Sequence, residues 1–264
     1  MITTGLPTLP NLRSVFGDVF FSEDGHRYRR RWEPLTSVTT AIGNYHTTFD
    51  SEFWSTYKAL RANAIEFTYD KEDRIFATDR GVLTPQQAQL TFFLDPSPDY
   101  FLEQWHIKAE KARKRGTKIH NAIESYLHGK IIEPRCPGFE DWYDRENLRP
   151  LATEVVVAGE KIAGQVDALF QRGTDIVLGD WKTNETIKRS NSYDRMHPPL
   201  DHLEDCNYVH YCLQVSIYRR LLELGGFAVD DQFMLHIDHS GIVTHYAMPY
   251  LREEADHIIK NPEG

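Results

Sequence analysis

Residues 161–183 read KIAGQVDALFQRGTDIVLGDWKT, and the fold turns on how this stretch divides. Lys161 to Phe170 and Asp175 to Thr183 are rich in apolar and β-branched residues, and Arg172-Gly173-Thr174 between them is a turn signal. Two such runs around a short glycine turn predict an antiparallel hairpin. A third β-rich run, Thr153 to Val157, precedes them across the turn Ala158-Gly159-Glu160. Side chains alternate along a strand, so Asp180 and Lys182 project to one face and Trp181 to the other. The hairpin brings Asp167 close to Asp180. Both aspartates sit inside apolar runs, where an unpaired charge is expensive. A hard divalent cation such as Mg2+ or Mn2+, with oxygen ligands, would relieve their repulsion. A lysine beside it would hold water and offset charge developing on a phosphate.

Upstream the texture is different. Val19-Phe20-Phe21, the turn Glu23-Asp24-Gly25 and an Arg/Tyr-rich return predict a hairpin over 15–32. Ser37 is placed to cap a helix running through Ile42, and Asp50 another through about Phe67. Thr84-Pro85 and Ser97-Pro98 each mark a helix start, because proline at the first helical position forfeits no hydrogen bond. The second opens the longest helical stretch, which should stop near Gly129 with a break at Gly116. Downstream, 184–207 reads as a polar loop, and Tyr208 to Leu224 as a helix ending at Gly225-Gly226. Asp231 to Asp238 and Ile242 to Tyr250 follow as a strand pair, and a last helix starts near Arg252. Helices, then a small sheet, then helix and strands give an α/β (α+β) class. No repeat or linker is evident, so one domain over 1–264 is expected. Within it 1–95 forms a helical N-terminal elaboration, the expected substrate channel, and 96–264 the core.

The composition is that of a globular chain: 264 residues, 41% hydrophobic and 26% charged, with a formal net charge of −9. Apolar runs as short as Val155-Val156-Val157 predict no bilayer span and no membrane partner. MITTGLPTLPNLRS at the start has neither a secretory nor a mitochondrial leader pattern, so a cytoplasmic protein of bacterial or viral origin is expected. Three cysteines, Cys136, Cys206 and Cys212, without CxxC spacing argue against a disulfide framework. An acidic mean charge does not favour nucleic acid, yet what counts is where charge lies. HRYRRRWE at 26–33 and KAEKARKRGTK at 108–118 are strongly basic segments. There is no GxxxxGK[ST] loop, no GxGxxG after a strand and no GxSxG elbow.

Gly-x-x-Asp at 164–167, Asp-Trp-Lys-Thr at 180–183 and Gln-x-x-x-Tyr at 214–218 together resemble the PD-(D/E)xK nuclease superfamily, most nearly its RecB-like exonuclease branch. The resemblance runs from about Trp105 to Tyr218. It implies a restriction-endonuclease-like core and a metal-dependent DNA exonuclease acting in DNA processing, repair, recombination or replication. It assigns Asp167, Asp180 and Lys182 to catalysis, with Gln214 and Tyr218 as the helical pair that orients substrate or Lys182. The Trp181 carbonyl becomes a metal ligand, and Arg115-Gly116-Thr117-Lys118-Ile119-His120 matches the segment carrying the extra ligand, His120. Glu124, one turn on, is a further ligand, a hydrogen-bonding partner for His120 or a plain helix-surface residue, and Glu154 matches an acidic position near such sites. Ser37-Val38-Thr39-Thr40 resembles a phosphate-holding motif, although a plain N-cap explains it as well. Lys111, Arg113, Lys114, Arg115 and Thr183 would meet the DNA backbone, with Trp105 or Tyr28 stacking on bases. Literal Pro-Asp is replaced by Val166-Asp167. Relatives that carry an iron–sulfur cluster use four cysteines, so none is expected here. Replication or recombination proteins are the expected partners. A catalytically silent nucleic-acid-binding module and an RNA-directed nuclease are the competing readings.

Overall fold

The computed structural model describes residues 15–22, 24–130 and 135–264. The N-terminal leader reading and Glu23 of the first turn lie outside the described residues. The expected single domain with an elaboration to residue 95 meets a different division. Residues 48–114 form one compact unit, and residues up to 47 together with 115–264 form another.

The larger unit is built on an eight-stranded mixed sheet with helices on its faces, an α+β architecture. Its strands are β1 (Val19–Ser22), β2 (Arg27–Arg30), β3 (Glu33–Ser37), β7 (Arg149–Ala158), β8 (Ile162–Arg172), β9 (Asp175–Lys182), β10 (Asp231–Ile237) and β11 (Val243–Ala247). The expected meander is present: β7 pairs antiparallel with β8, and β8 antiparallel with β9. Gly173, at φ +65°, sits in the turn between β8 and β9, a conformation open to glycine at no steric cost. β10 then joins β9 in parallel.

A gap along one edge of β8 positions the cavity. β7 covers one edge of β8 from Ala163 to Gln171. On the opposite edge β9 pairs only with Ala168 to Arg172, and β3 pairs in parallel with Ile162 and Ala163. Residues 164–167 of β8 therefore face a gap where one neighbour has left and the other has not arrived. Ligand crevices form at such points, beyond the carboxyl ends of strands.

Two cores flank the sheet. On one, Leu213, Ile217 and Leu221 of helix α6 (Asn207–Leu224) pack in one cluster with Ile162, Leu169 and Leu178. On the other, Ile123 of α4 (Pro98–Leu127) and Phe139 and Trp142 of α5 (Pro137–Tyr143) join Phe170, Val177 and Trp181. Leu178 and its neighbour Val177 thus go to opposite faces, as strand alternation requires. Each such fully buried side chain contributes about 1.5–3 kcal/mol. Helix α7 (Arg252–Lys260) packs on α6.

Helix starts follow the caps read from the sequence. Ser37 Oγ accepts from Thr40 N–H at the start of α1 (Val38–Gly43), and Asp50 accepts from Phe53 N–H at the start of α2 (Ser51–Ala62). Thr84 and Gln87 form a reciprocal capping box on α3 (Pro85–Thr91). Two expectations need correction. α2 ends at Ala62, and the residues after it form β4 (Phe67–Asp70), β5 (Ile75–Thr78) and β6 (Gly81–Leu83), a separate antiparallel sheet. In the smaller unit this sheet shares a core of Phe53, Leu60, Phe76, Ala88 and Phe92 with α2 and α3. α4 runs through Gly116 without a break, because glycine there meets a different need: a β-carbon would lie 3.1 Å from Thr183 Oγ1. As the glycine pair predicts, α6 ends at Leu224 and Gly226 takes the left-handed conformation, at φ +90°. No helix among the described residues is long and apolar enough to cross a membrane.

Candidate metal centre

The gap beside β8 opens into a cavity of about 210 Å3 whose walls include Asp167, Asp180, Lys182, His120, Gln214 and Tyr218. The register explains why the acids meet. Thr153 pairs with Ala168 and Val155 with Val166, which sets Glu154 across from Asp167. Ala168 pairs with Gly179, the step before Asp167 and Asp180. Three carboxyls from three adjacent strands therefore stand in one row. Glu154 holds its place at φ +49° in mid-strand. A left-handed conformation costs a residue with a β-carbon about 1–2 kcal/mol. Strain of that kind collects at functional sites.

The charges are arranged in two pairs. His120 Nδ1 lies 3.4 Å from Asp167 Oδ1, while Asp167 Oδ2 accepts the Trp181 backbone N–H at 2.6 Å. Lys182 Nζ lies 2.8 Å from Asp180 Oδ2 and 4.9 Å from the centre of the Tyr211 ring. Asp180 is 2% exposed, and beyond the Lys182 ammonium its Oδ2 has no polar partner among the described residues. Burial pushes the Asp180 carboxyl up to about 6, with the Asp167 charge adding to the rise and Lys182 opposing it. Burial and then the Asp167 charge push Glu154 up to about 7. Burial acts the same way on Asp167, but His120, Lys182 and the Trp181 N–H outweigh it and hold this carboxyl below its ordinary value. On His120 and Lys182 burial works against the charged form, and the facing carboxylates win, raising both.

Ligand atoms of His120, Glu154 and Asp167 lie within 4.8 Å of one another. Two carboxylates and an imidazole, with the under-partnered Asp180 carboxylate in the same cavity, make an oxygen-rich donor set that fits Mg2+ or Mn2+. Glu154 belongs to the trio. Asp180, expected as a ligand, is not one of the three and is engaged by Lys182. Glu124 also stands apart, accepting from Thr153 Oγ1 at 3.3 Å. Trp181 presents its N–H to Asp167 and buries its ring against Phe139.

Other expected residues have their own placements. Gln214 Nε2 donates to Tyr218 OH at 2.8 Å, and it is Tyr211, one turn earlier on α6, that meets Lys182. Ser37 and Thr39 line the cavity, with the Ser37 hydroxyl engaged by Thr39 and Thr40. Arg115, expected on phosphate, instead donates to the carbonyls of Thr183, Ile237 and Asp238. Thr183 abuts Gly116. Lys111, Arg113 and Lys114 are exposed in the smaller unit, where Lys114 pairs with Glu110 at 3.0 Å. Tyr28, expected to stack on bases, is 2% exposed and bonds His26 through its hydroxyl. Trp105 packs edge-on against Phe49. The sequence reading missed Tyr211, although its spacing of three and seven residues from Gln214 and Tyr218 puts all three on one helix face.

Gly164 sets the depth of the cavity. A β-carbon there would lie 2.4 Å from Tyr218 Cε1 and 3.0 Å from Val38 Cγ2. Gly164→Ala is therefore expected to destabilise the protein by about 1–3 kcal/mol through overpacking. Thermal melting measures the loss, and a melting temperature equal to wild type would contradict the close approach.

No family model and no curated protein matches the chain. Matches among solved structures include the crystal structure of SSO0001, 16% identical over 48% of this chain and 55% of that one, with a TM-score of 0.28. The chain thus spans about half the length of that relative. A likeness at this score carries no argument about fold or chemistry.

Proposed function

We propose that the cavity is a divalent-cation-dependent phosphodiesterase site, and that the protein is a DNA exonuclease with a restriction-endonuclease-like core of the PD-(D/E)xK type. The observation that carries the reading is the row of Glu154, Asp167 and Asp180 across β7, β8 and β9, with Lys182 and His120 around one opening. Three acids in the cavity wall face one lysine and two histidines, His120 and His26, and burial disfavours the charged form of His26, so a further positive charge is called for.

His120, Glu154 and Asp167 would hold the cation, with Asp180 completing the set. Bound there, a divalent ion polarises the phosphoryl oxygen and lowers the pKa of water. Lys182 is fixed by Asp180 on one side and the Tyr211 ring on the other. Its ammonium orients the attacking water and offsets charge developing on phosphate. Gln214 and Tyr218, joined by their own hydrogen bond, form the wall that aligns the scissile group. In this reading the protein works in the cytoplasm with its three buried cysteines reduced.

The test is digestion of end-labelled linear DNA, closed circular DNA and RNA of matching sequence under titrated Mg2+ or Mn2+. Loss of the end label from linear DNA, only with metal, is expected. DNA binding without cleavage at any metal concentration would overturn the reading in favour of a silent binding module.

The same carboxyls predict a pH dependence of metal binding. Glu154 is raised from 4.5 to about 7 and Asp180 from 3.8 to about 6, so each is partly protonated near neutrality. Ligating carboxylates must be ionised, so binding releases protons. Mn2+ affinity should rise as pH climbs through 6 to 7 and fall away below. Calorimetry in buffers of different ionisation enthalpy reads the protons released, and a pH-independent affinity would contradict the assignment.

A further inference from the structure

A second cluster lies apart from the cavity's ligands. His46 follows α1, Asp205 immediately precedes the N-cap of α6, and His210 sits in the first turn of α6. A nitrogen of each ring and a carboxylate oxygen lie within 4.8 Å of one another. The two imidazoles stack, with centroids 4.4 Å apart and planes at 19°. His210 Nε2 is 2.9 Å from Asp205 Oδ1. The other carboxylate oxygen is oriented by Thr47 N–H at 3.2 Å. His46 Nδ1 lies 3.2 Å from the Thr47 carbonyl, a contact that places a proton on Nδ1 and leaves Nε2 with its lone pair. Backbone partners of this kind fix ring tautomer and carboxylate direction in metal sites.

We propose that His46, Asp205 and His210 bind a transition-metal cation of the Zn2+ class, at a site distinct from the one described above. Two imidazoles and one carboxylate leave a fourth position open, the donor pattern of three-ligand zinc sites. The nitrogen-rich set separates it from the oxygen-rich set in the cavity, which suits Mg2+ or Mn2+. Side-chain exposures of 22% for His210 and 12% for Asp205 leave the site open enough for an ion to enter. Binding moves the His210 ring proton from Nε2 to Nδ1 and turns the stacked rings so that both lone pairs meet the cation, which takes the proton's place beside Asp205.

Such a site has a structural task. His46 ends the segment whose beginning, Ser37 and Thr39, lines the cavity, and α6 carries Gln214 and Tyr218 on the cavity wall. A cation held by both segments staples those walls together. The inference stands independently of the nuclease reading, since it concerns metal binding without DNA.

The experiment uses metal-stripped full-length protein, Zn2+ and a competing chromogenic chelator, with Co2+ absorption as a second readout. Asp167→Asn serves as a background that removes an acid from the cavity. One tight Zn2+ equivalent should persist in Asp167→Asn and weaken by at least roughly 100-fold when His46→Gln or His210→Gln is added. Zn2+ should raise the melting temperature of wild type and Asp167→Asn, and leave that of the His46→Gln protein unmoved. The Co2+ d–d bands should follow the same pattern. His46→Gln removes a ring that makes no long-range hydrogen bond among the described residues, which keeps the test open should His210→Gln misfold. Zn2+ affinity unchanged in folded His46→Gln and His210→Gln proteins, or no Zn2+ retained by wild type, would overturn the proposal.

Discussion

Asp167→Asn is expected to lower metal-dependent DNA cleavage by on the order of 10³-fold or more while the protein stays folded. The substitution keeps the shape of the side chain, and an amide oxygen can still accept the Trp181 N–H that Asp167 Oδ2 accepts at 2.6 Å. What disappears is the charge. His120 loses the anion 3.4 Å away, and the trio loses its central ligand. Stability should fall modestly, because His120, Lys182 and the Trp181 N–H hold the Asp167 carboxyl below its ordinary value, so its charge favours the folded state, and relief of the repulsion on Glu154 and Asp180 offsets only part of that loss. Taking the carboxylate from a buried pair leaves the facing His120 charge uncompensated. Initial cleavage rates and thermal melts on one preparation check both halves. A folded Asp167→Asn protein cutting within tenfold of wild type would end the site assignment.

The second large effect concerns stability. Arg115→Met should destabilise the larger unit by about 3 kcal/mol, the scale of hydrogen bonds made by a charged group. The guanidinium donates to Thr183 O at 2.7 Å and Ile237 O at 3.2 Å, and to Asp238 O. It ties α4 to the carboxyl ends of β9 and β10, where the Asp238 carbonyl also accepts from Gly241 N–H. Methionine keeps an unbranched apolar stem and removes the guanidinium, so the difference reads chiefly the lost hydrogen bonds. Urea denaturation with the slope fixed measures it. A variant with wild-type stability and weakened DNA affinity would return Arg115 to the phosphate-binding role expected from sequence.

These contrasts show what a sequence can and cannot carry. The meander β7–β8–β9 was legible because its glycine turns are local and its strands long. The alternation that separates Asp180 and Lys182 from Trp181 is equally local, and the structure bears it out: Lys182 meets Tyr211 while Trp181 packs on Phe139. Caps at Ser37, Asp50 and Thr84 are signals of three or four residues and were readable for the same reason. The sheet β4–β5–β6 was not, because strands as short as Gly81–Leu83 carry too few residues to show a period. The gap on the edge of β8 depends on β3 pairing with Ile162 and Ala163, more than a hundred residues away. His46 and His210 are equally remote in sequence, and no spacing rule joins them. Arg115 shows the opposite hazard, a basic run whose members do different work.

Glu154 carries a last implication. Its backbone takes a shape that glycine or asparagine would adopt more cheaply, by about 1 kcal/mol. Mutation alone would drift this position toward either of those residues. A homologue that kept glutamate here through long divergence would therefore testify to continued selection on its carboxyl, and one that had abandoned chemistry would be free to let it go.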